Sequence, residues 1–193
     1  MAQHQSELEN GDIVLLFEDE CHLLWGDVGG LAWGKRNQAI EVPILNQKQR
    51  QTYYGAVNFQ TQTFHLKSFP SGNGEHTVAY VKWLRELYPD AQLWLIWDGA
   101  SYHRYAQMRD YLTELNHGLS EDEWLVTCIL LAANAPQQNP VEDIWLKGKN
   151  WLRKRFAYNT TFADVKACFF EYLQHGIFSS AKFDWYTPSP QII

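Results

Sequence analysis

Apolar residues along this chain fall in two patterns: short continuous runs that end in acid, and longer stretches with an apolar residue every three or four positions. Ile13-Val14-Leu15-Leu16-Phe17-Glu18-Asp19-Glu20 is of the first kind and reads as a buried strand whose carboxyl end delivers Asp19. Side chains alternate across a strand, so Asp19 and Glu20 point to opposite faces. Residues 26–36 read as a turn into a second strand near Leu31-Ala32-Trp33. Residues 40–45, with Pro43, have the character of an edge, and residues 48–52 are a polar connection. Residues 53–59 and 63–69 pair as a hairpin across Gln60-Thr61-Gln62. Pro70-Ser71-Gly72-Asn73-Gly74 is a loop. Its glycines hint at a phosphate cradle, but no Lys-Ser or Lys-Thr follows, so it is not a P-loop.

The second half alternates. Val78, Val81, Leu84, Leu87 and Tyr88 predict a helix over 77–88, stopped by Pro89. Residues 92–98 hold five apolar residues between polar ends, as suits a central strand covered on both faces, and this strand also ends in a carboxylate, Asp98. Ser101 can cap a helix from 102 to about 116. Residues 118–122 form a loop and 124–131 another buried strand. Helices are expected from 140 to about 156 and from 162 to about 175, with an irregular tail from 183 that carries Pro188 and Pro190. This order predicts an α/β sandwich with a mixed sheet, antiparallel strands first and then parallel strands joined by helical crossovers. The expected organisation is a polar lead (1–12), one domain (13–176) and the tail (177–193).

The helix start Asn139-Pro140-Val141-Glu142-Asp143-Ile144-Trp145 carries two readings. Asn139 is a good N-cap, Pro140 occupies the first helical position, and Glu142 the third. Glu142 either reaches back to the Asn139 N–H in a capping box or presents its carboxylate to a metal. At 100° per residue, Lys149 and Arg153 fall within about 20° of Glu142, whereas Val141, Ile144, Trp145, Gly148, Leu152 and Phe156 form the core stripe. Trp151, at the edge of that stripe, reads as packing. Asp19, Asp98 and Glu142 therefore come from two strand ends and one helix start, and in open α/β sheets such positions converge. Three hard oxygen donors suit Mg²⁺ or Mn²⁺; no H-E-x-x-H and no paired Cys/His spacing points to zinc.

Composition adjusts this picture in three ways. The 29 aromatics among 193 residues, 46% of them hydrophobic, argue against disorder and for one substantial core. Three cysteines without C-x-x-C spacing, no membrane-length apolar run and no signal-like start lead to the expectation of a reduced cytoplasmic protein, nucleoid-associated if it acts on DNA. The net charge of −6 argues against a freestanding DNA-binding module, yet Lys147, Lys149, Arg153, Lys154 and Arg155 crowd five of the sixteen Lys and Arg just after Glu142. That cluster either neutralises the helix C-terminus or forms a phosphate-contacting rail beside the proposed ligand.

The chain resembles the catalytic domain of a DDE transposase of the mariner superfamily, in the bacterial insertion-sequence branch of the IS six-thirty type. The resemblance rests on Phe17-Glu18-Asp19-Glu20, on Trp97-Asp98-Gly99-Ala100-Ser101-Tyr102-His103, and on Pro136–Trp145 with Lys149 beyond; it spans roughly 13–175. It implies an RNase H-like fold, a mixed five-stranded sheet flanked by helices, with Asp19, Asp98 and Glu142 as the three acids holding two Mg²⁺ (or Mn²⁺) ions. His103 matches a histidine often found after the second acid, and its other reading is a helix-start residue bonded locally. Glu20 matches a neighbour of the first acid and, with Asn139, has a supporting place. Lys149, Arg153 and Lys147 are the expected DNA contacts. Three departures stand out: Gly99 where the family often has Asn, Ala132-Ala133-Asn134-Ala135 ahead of Asn-Pro, and 43 residues between the second and third acids, longer than the family's usual spacing.

The implied activity is cleavage at element ends and strand transfer into target DNA, with TA as target. The implied partners are DNA, a second copy in a homodimer, and a helix-turn-helix part that is separate or joined by frameshifting. Two rivals remain: a catalytically inactive RNase H-like remnant that binds or regulates, and a two-carboxylate, metal-free glycosidase.

Overall fold

The computed structural model describes residues 4–28, 35, 49–98, 106–132, 136–174 and 176–187. Its axis is a twelve-residue strand, β1 (Ile13–Leu24). On one side β1 pairs antiparallel with β2 (Arg50–Asn58), which pairs antiparallel with β3 (Phe64–Phe69). On the other it pairs parallel with β4 (Gln92–Trp97), which pairs parallel with β5 (Val126–Leu130). The sheet thus has five strands in the order β3-β2-β1-β4-β5, mixed as the residue pattern predicts. The helices are α1 (Gln5–Asn10), α2 (Gly74–Leu87), α3 (Ala106–Leu115), α4 (Pro140–Lys154) and α5 (Phe162–Leu173).

Alternation along β1 divides the core in two. Ile13, Leu15, Phe17, Cys21 and Leu23 enter one cluster with Ile144, Trp145 and Leu152 of α4 and Phe169 and Leu173 of α5. Val14 and Leu16 enter the other with Tyr80, Val81 and Leu84 of α2 and Met108 of α3. Both faces are covered, which is why the run reads as continuously apolar.

Several expectations change. β1 does not end at Glu20; Cys21 and Leu23 keep the period of two beyond the acids, so pairing with β2 runs on to Leu24. The run 124–131 is not a buried strand throughout. Among the described residues β5 lies at the sheet edge beside β4 alone, and Ile129 and Leu130 are 36% and 55% exposed. The loop at 70–74 is a helix cap and not a cradle: Asn73 Oδ1 accepts from His76 N, Asn73 O from Thr77 N, and Asn73 N donates to Tyr54 OH. The polar lead contains α1, whose Leu8 is buried; six residues with one apolar contact show no period. Within the described tail, Phe178 and Phe183 are buried and Ala181–Trp185 form a 3₁₀ turn. The strands expected near 31–33 and 40–45, and the Ser101 cap, lie outside the described residues.

The predicted stripe of α4 is buried at Val141, Ile144, Trp145, Gly148 and Leu152, while Phe156 lies beyond the helix at 39% exposure. Gly148 is where α4 meets α5: a Cβ there would stand 2.7 Å from Phe169 Cε2 and 3.0 Å from Leu173 Cδ1. Gly148→Val should therefore overpack this contact and destabilise the chain by about 1–3 kcal/mol, read as a lowered urea midpoint at unchanged slope.

Candidate active site

Asp19 follows the odd phase of β1 and so faces α4, while Glu18 and Glu20 take the even phase toward α2. Parallel pairing with β4 ends at Phe17↔Ile96, and continuing that register sets Asp98 level with Asp19. β1 thus outruns β4, and the two aspartates stand where the parallel half of the sheet stops. Glu142, third residue of α4, is exposed on the helix that packs over this end of β1.

α4 is placed by its first residues. Asn139, 2% exposed, accepts at Oδ1 from Val141 N (3.1 Å) and donates from Nδ2 to Glu18 O (2.8 Å). The cap is therefore Asn139 alone. The reciprocal bond of a capping box, Glu142 to the Asn139 N–H, is not formed, because Asn139 bonds the second helical N–H and Glu142 stays on the solvent side. The C-terminal segment reinforces this start. Lys182 Nζ donates to Asn139 O (3.0 Å) and lies 2.8 Å from Asp143 Oδ1, Ser180 Oγ donates to Asp143 Oδ2 (2.6 Å), and Tyr186 OH donates to Gln138 O (3.0 Å). Burial pulls the Asp143 carboxyl upward, but the bonds from Lys182 and Ser180 hold it below the usual range.

Asp19 is in the opposite situation. Burial, then the negative charges of Glu142, Glu18, Glu20 and Asp98, push its carboxyl well above the usual carboxylate range. Its Oδ2 accepts from Trp145 Nε1 at 3.1 Å. Negative potential thus gathers at Asp19 from acids on three elements: Glu142 on α4, Glu18 and Glu20 on β1, and Asp98 after β4. A divalent cation held between hard oxygen donors would relieve that repulsion, so Asp19, Asp98 and Glu142 fit such an ion in chemistry. Among the described residues, which include all three of these acids, no group of three or more His, Cys, Asp or Glu side chains stands together closely enough to hold a metal ion.

The cations divide. Arg153 is exposed and bonds Asn150 Oδ1 on its own helix (2.9 Å), and Lys149 shares the Glu142 face by helical geometry. Lys147 points elsewhere: its Nζ donates to Ser179 O (2.6 Å) and lies 5.9 Å from the Phe178 ring, so it binds the C-terminal segment to α4. Arg155 covers the Trp151 ring at 3.8 Å, and Trp151 stacks on Tyr172 at 4.6 Å. Glu20 lies on the α2 face, where with Glu18 its charge adds to burial in raising Tyr80. His103 lies outside the described residues. Sequence reasoning placed Trp145 in the core stripe and in the motif of the resemblance, with no task at the site, and did not single out Lys182. For Trp145 the available signal was its place one turn after Glu142; for Lys182, in an irregular tail, there was none.

The fold is similar to that of solved structures. Mos1 transposase, in a paired-end complex with the left transposon end, has 13% identity and a TM-score of 0.57, covering 96% of this chain and 53% of that one. A Mos1 mariner paired-end complex with Mn has 14% identity and a TM-score of 0.53, over 96% and 54%. The HTLV-2 integrase catalytic core domain in complex with magnesium, in dimeric form, has 11% identity and a TM-score of 0.51, over 86% and 89%. The chain spans about half the length of the Mos1 transposase it matches. These likenesses establish the RNase H-like fold, a mixed five-stranded sheet flanked by helices. No curated protein matches the sequence. A family model described as DDE superfamily endonuclease matches residues 14–163, a span that holds Asp19, Asp98 and Glu142. By that match the chain belongs to the DDE superfamily of endonucleases.

Proposed function

We propose that this chain is the catalytic domain of a transposase of the mariner superfamily, in its bacterial IS six-thirty type branch, which nicks DNA at element ends and joins the freed end to target DNA. The observation that carries the reading is the electrostatics of Asp19, a carboxyl raised first by burial, then by Glu142 on α4, by its neighbours Glu18 and Glu20, and by Asp98 after β4. Stability alone gives no reason to gather them.

In this reading Asp19, Asp98 and Glu142 hold two Mg²⁺ or Mn²⁺ ions. Such a pair, when bound, lowers the pKa of an attacking oxygen and stabilises the leaving one in phosphodiester chemistry. The chain's own residues set the geometry. Asn139 and Lys182 fix the start of α4 and hence Glu142, and Lys149 and Arg153 contact phosphates along the same face, setting DNA register without reading bases. In the first step the oxygen of water bonds to phosphorus and the P–O3′ bond breaks, freeing a 3′-OH. In the second that hydroxyl oxygen bonds to a target phosphorus, at TA, and displaces a target 3′-oxygen. End recognition is assigned to a helix-turn-helix part, separate or frameshift-joined. The net charge of −6 supports this, since a basic part is needed to hold DNA. Action as a homodimer belongs to the same reading.

Three outcomes are expected. Asp98→Asn should abolish Mn²⁺-dependent nicking of element-end DNA by the full chain and leave its circular dichroism unchanged. Nicking retained by that variant, or none by the wild type, ends the reading, and the second result favours the inactive remnant. Arg153→Ala should weaken DNA binding about equally across sequences and lower the slope of log affinity against log salt by about one. Asp19 gives a stability test. Its folded carboxyl is raised, so the folded state binds more protons, and stability falls as pH climbs from the ordinary carboxylate range through the raised value. Metal-free Asp19→Asn should therefore melt above the wild type at neutral pH, with the gap closing in acid.

A further inference from the structure

We infer that Trp145 is a positioning residue for Asp19: its indole N–H fixes how that carboxylate meets a divalent cation, and Gly55 is the gap in β2 that lets the ring reach it. This rests on the metal-binding reading above. Trp145 lies one turn beyond Glu142 on α4, and its Nε1 donates to Asp19 Oδ2 at 3.1 Å. Gly55 is the register partner of Asp19 across β1 and β2. Directly opposed residues share a sheet face, so a side chain at 55 would stand beside Asp19 on the side that α4 covers.

No room exists for one. A Cβ on Gly55 would come within 2.6 Å of Trp145 Cη2, 2.7 Å of its Cζ2 and 2.3 Å of Phe64 Cζ, all inside contact distance. Nor can the ring withdraw. Trp145 is 4% exposed, edge-on to Phe64 (5.2 Å between centroids) and stacked on Phe169 (6.2 Å, 16°). Strand register, the missing Cβ and two aromatic neighbours thus aim the indole's single polar atom at one oxygen of Asp19. With Oδ2 bonded in a buried setting, the carboxylate cannot rotate without orphaning that donor. The same helix turn carries Glu142, so the bond also ties the spacing of two proposed ligands to one another. Partners of this kind orient metal ligands, and their loss typically costs about 10–100-fold in metal affinity.

Trp145→Phe removes the donor together with part of a packed ring, so the deciding variant carries benzothienylalanine at 145, a ring of the same shape with sulfur in place of the N–H. Mn²⁺ is titrated into the full chain and free Mn²⁺ read by electron paramagnetic resonance, beside metal-free thermal unfolding. The expected result is about 10–100-fold weaker Mn²⁺ binding by a chain that still unfolds cooperatively in the metal-free melt. Wild-type affinity in the analogue overturns the inference and leaves the metal reading standing. A wild-type chain that binds no Mn²⁺ overturns both.

Discussion

The carboxamide of Asn139 is bonded at both ends, by Val141 N within the helix it starts and to Glu18 O on the central strand. It is buried, so breaking either bond would strand a polar atom away from water, at a cost of about 1–3 kcal/mol. The rest of the site depends on that constraint. Glu18 is the residue before Asp19, and Asn139 lies three before Glu142, so one amide fixes the origin of α4 against the strand at the level of the first acid. Pro140 adds a backbone angle already suited to a helix. Ridge-and-groove packing of α4 would tolerate a small slide along β1; the amide does not.

The layout of β1 explains why Asp19 and Asp98 lie level with one another. A strand paired on both sides along its whole length would bury the backbone beside Asp19. Here the parallel partner stops early and the antiparallel partner runs on, so the sheet has a step, and Asp19 and Asp98 stand on it. Much of this was legible in the residues. The apolar run into Glu18-Asp19-Glu20, the hairpin at 53–69 and the Asn-Pro start of α4 each declare themselves by period or cap. The end of β1 did not, because Cys21 and Leu23 continue the alternation after three acids. The edge position of β5 did not either, since a run of apolar residues carries no record of how many neighbours it has. Trp145 looked like core and is core; that its one polar atom meets Asp19 depends on a contact between residues 126 positions apart.

Charge is distributed with the same division of labour. The overall balance is acidic, and acids are drawn together where repulsion on Asp19 is greatest. The cationic cluster after Glu142 looks uniform in sequence, yet its members have different tasks: Lys147 secures the C-terminal segment and Arg155 covers Trp151, whereas Arg153 remains exposed. A count of basic residues overstates what is left for an anionic partner.

The clasp of Lys182 on Asn139 O and Asp143 has a consequence for the order in which the protein acquires its parts. Translation proceeds from the amino end, and the strands that carry Asp19 and Asp98 emerge first. Lys182 arrives some forty residues after the helix start it secures, Asn139 to Asp143. A nascent chain on the ribosome can therefore fold its sheet and seat α4 through Asn139 before the C-terminal clasp closes over that helix start.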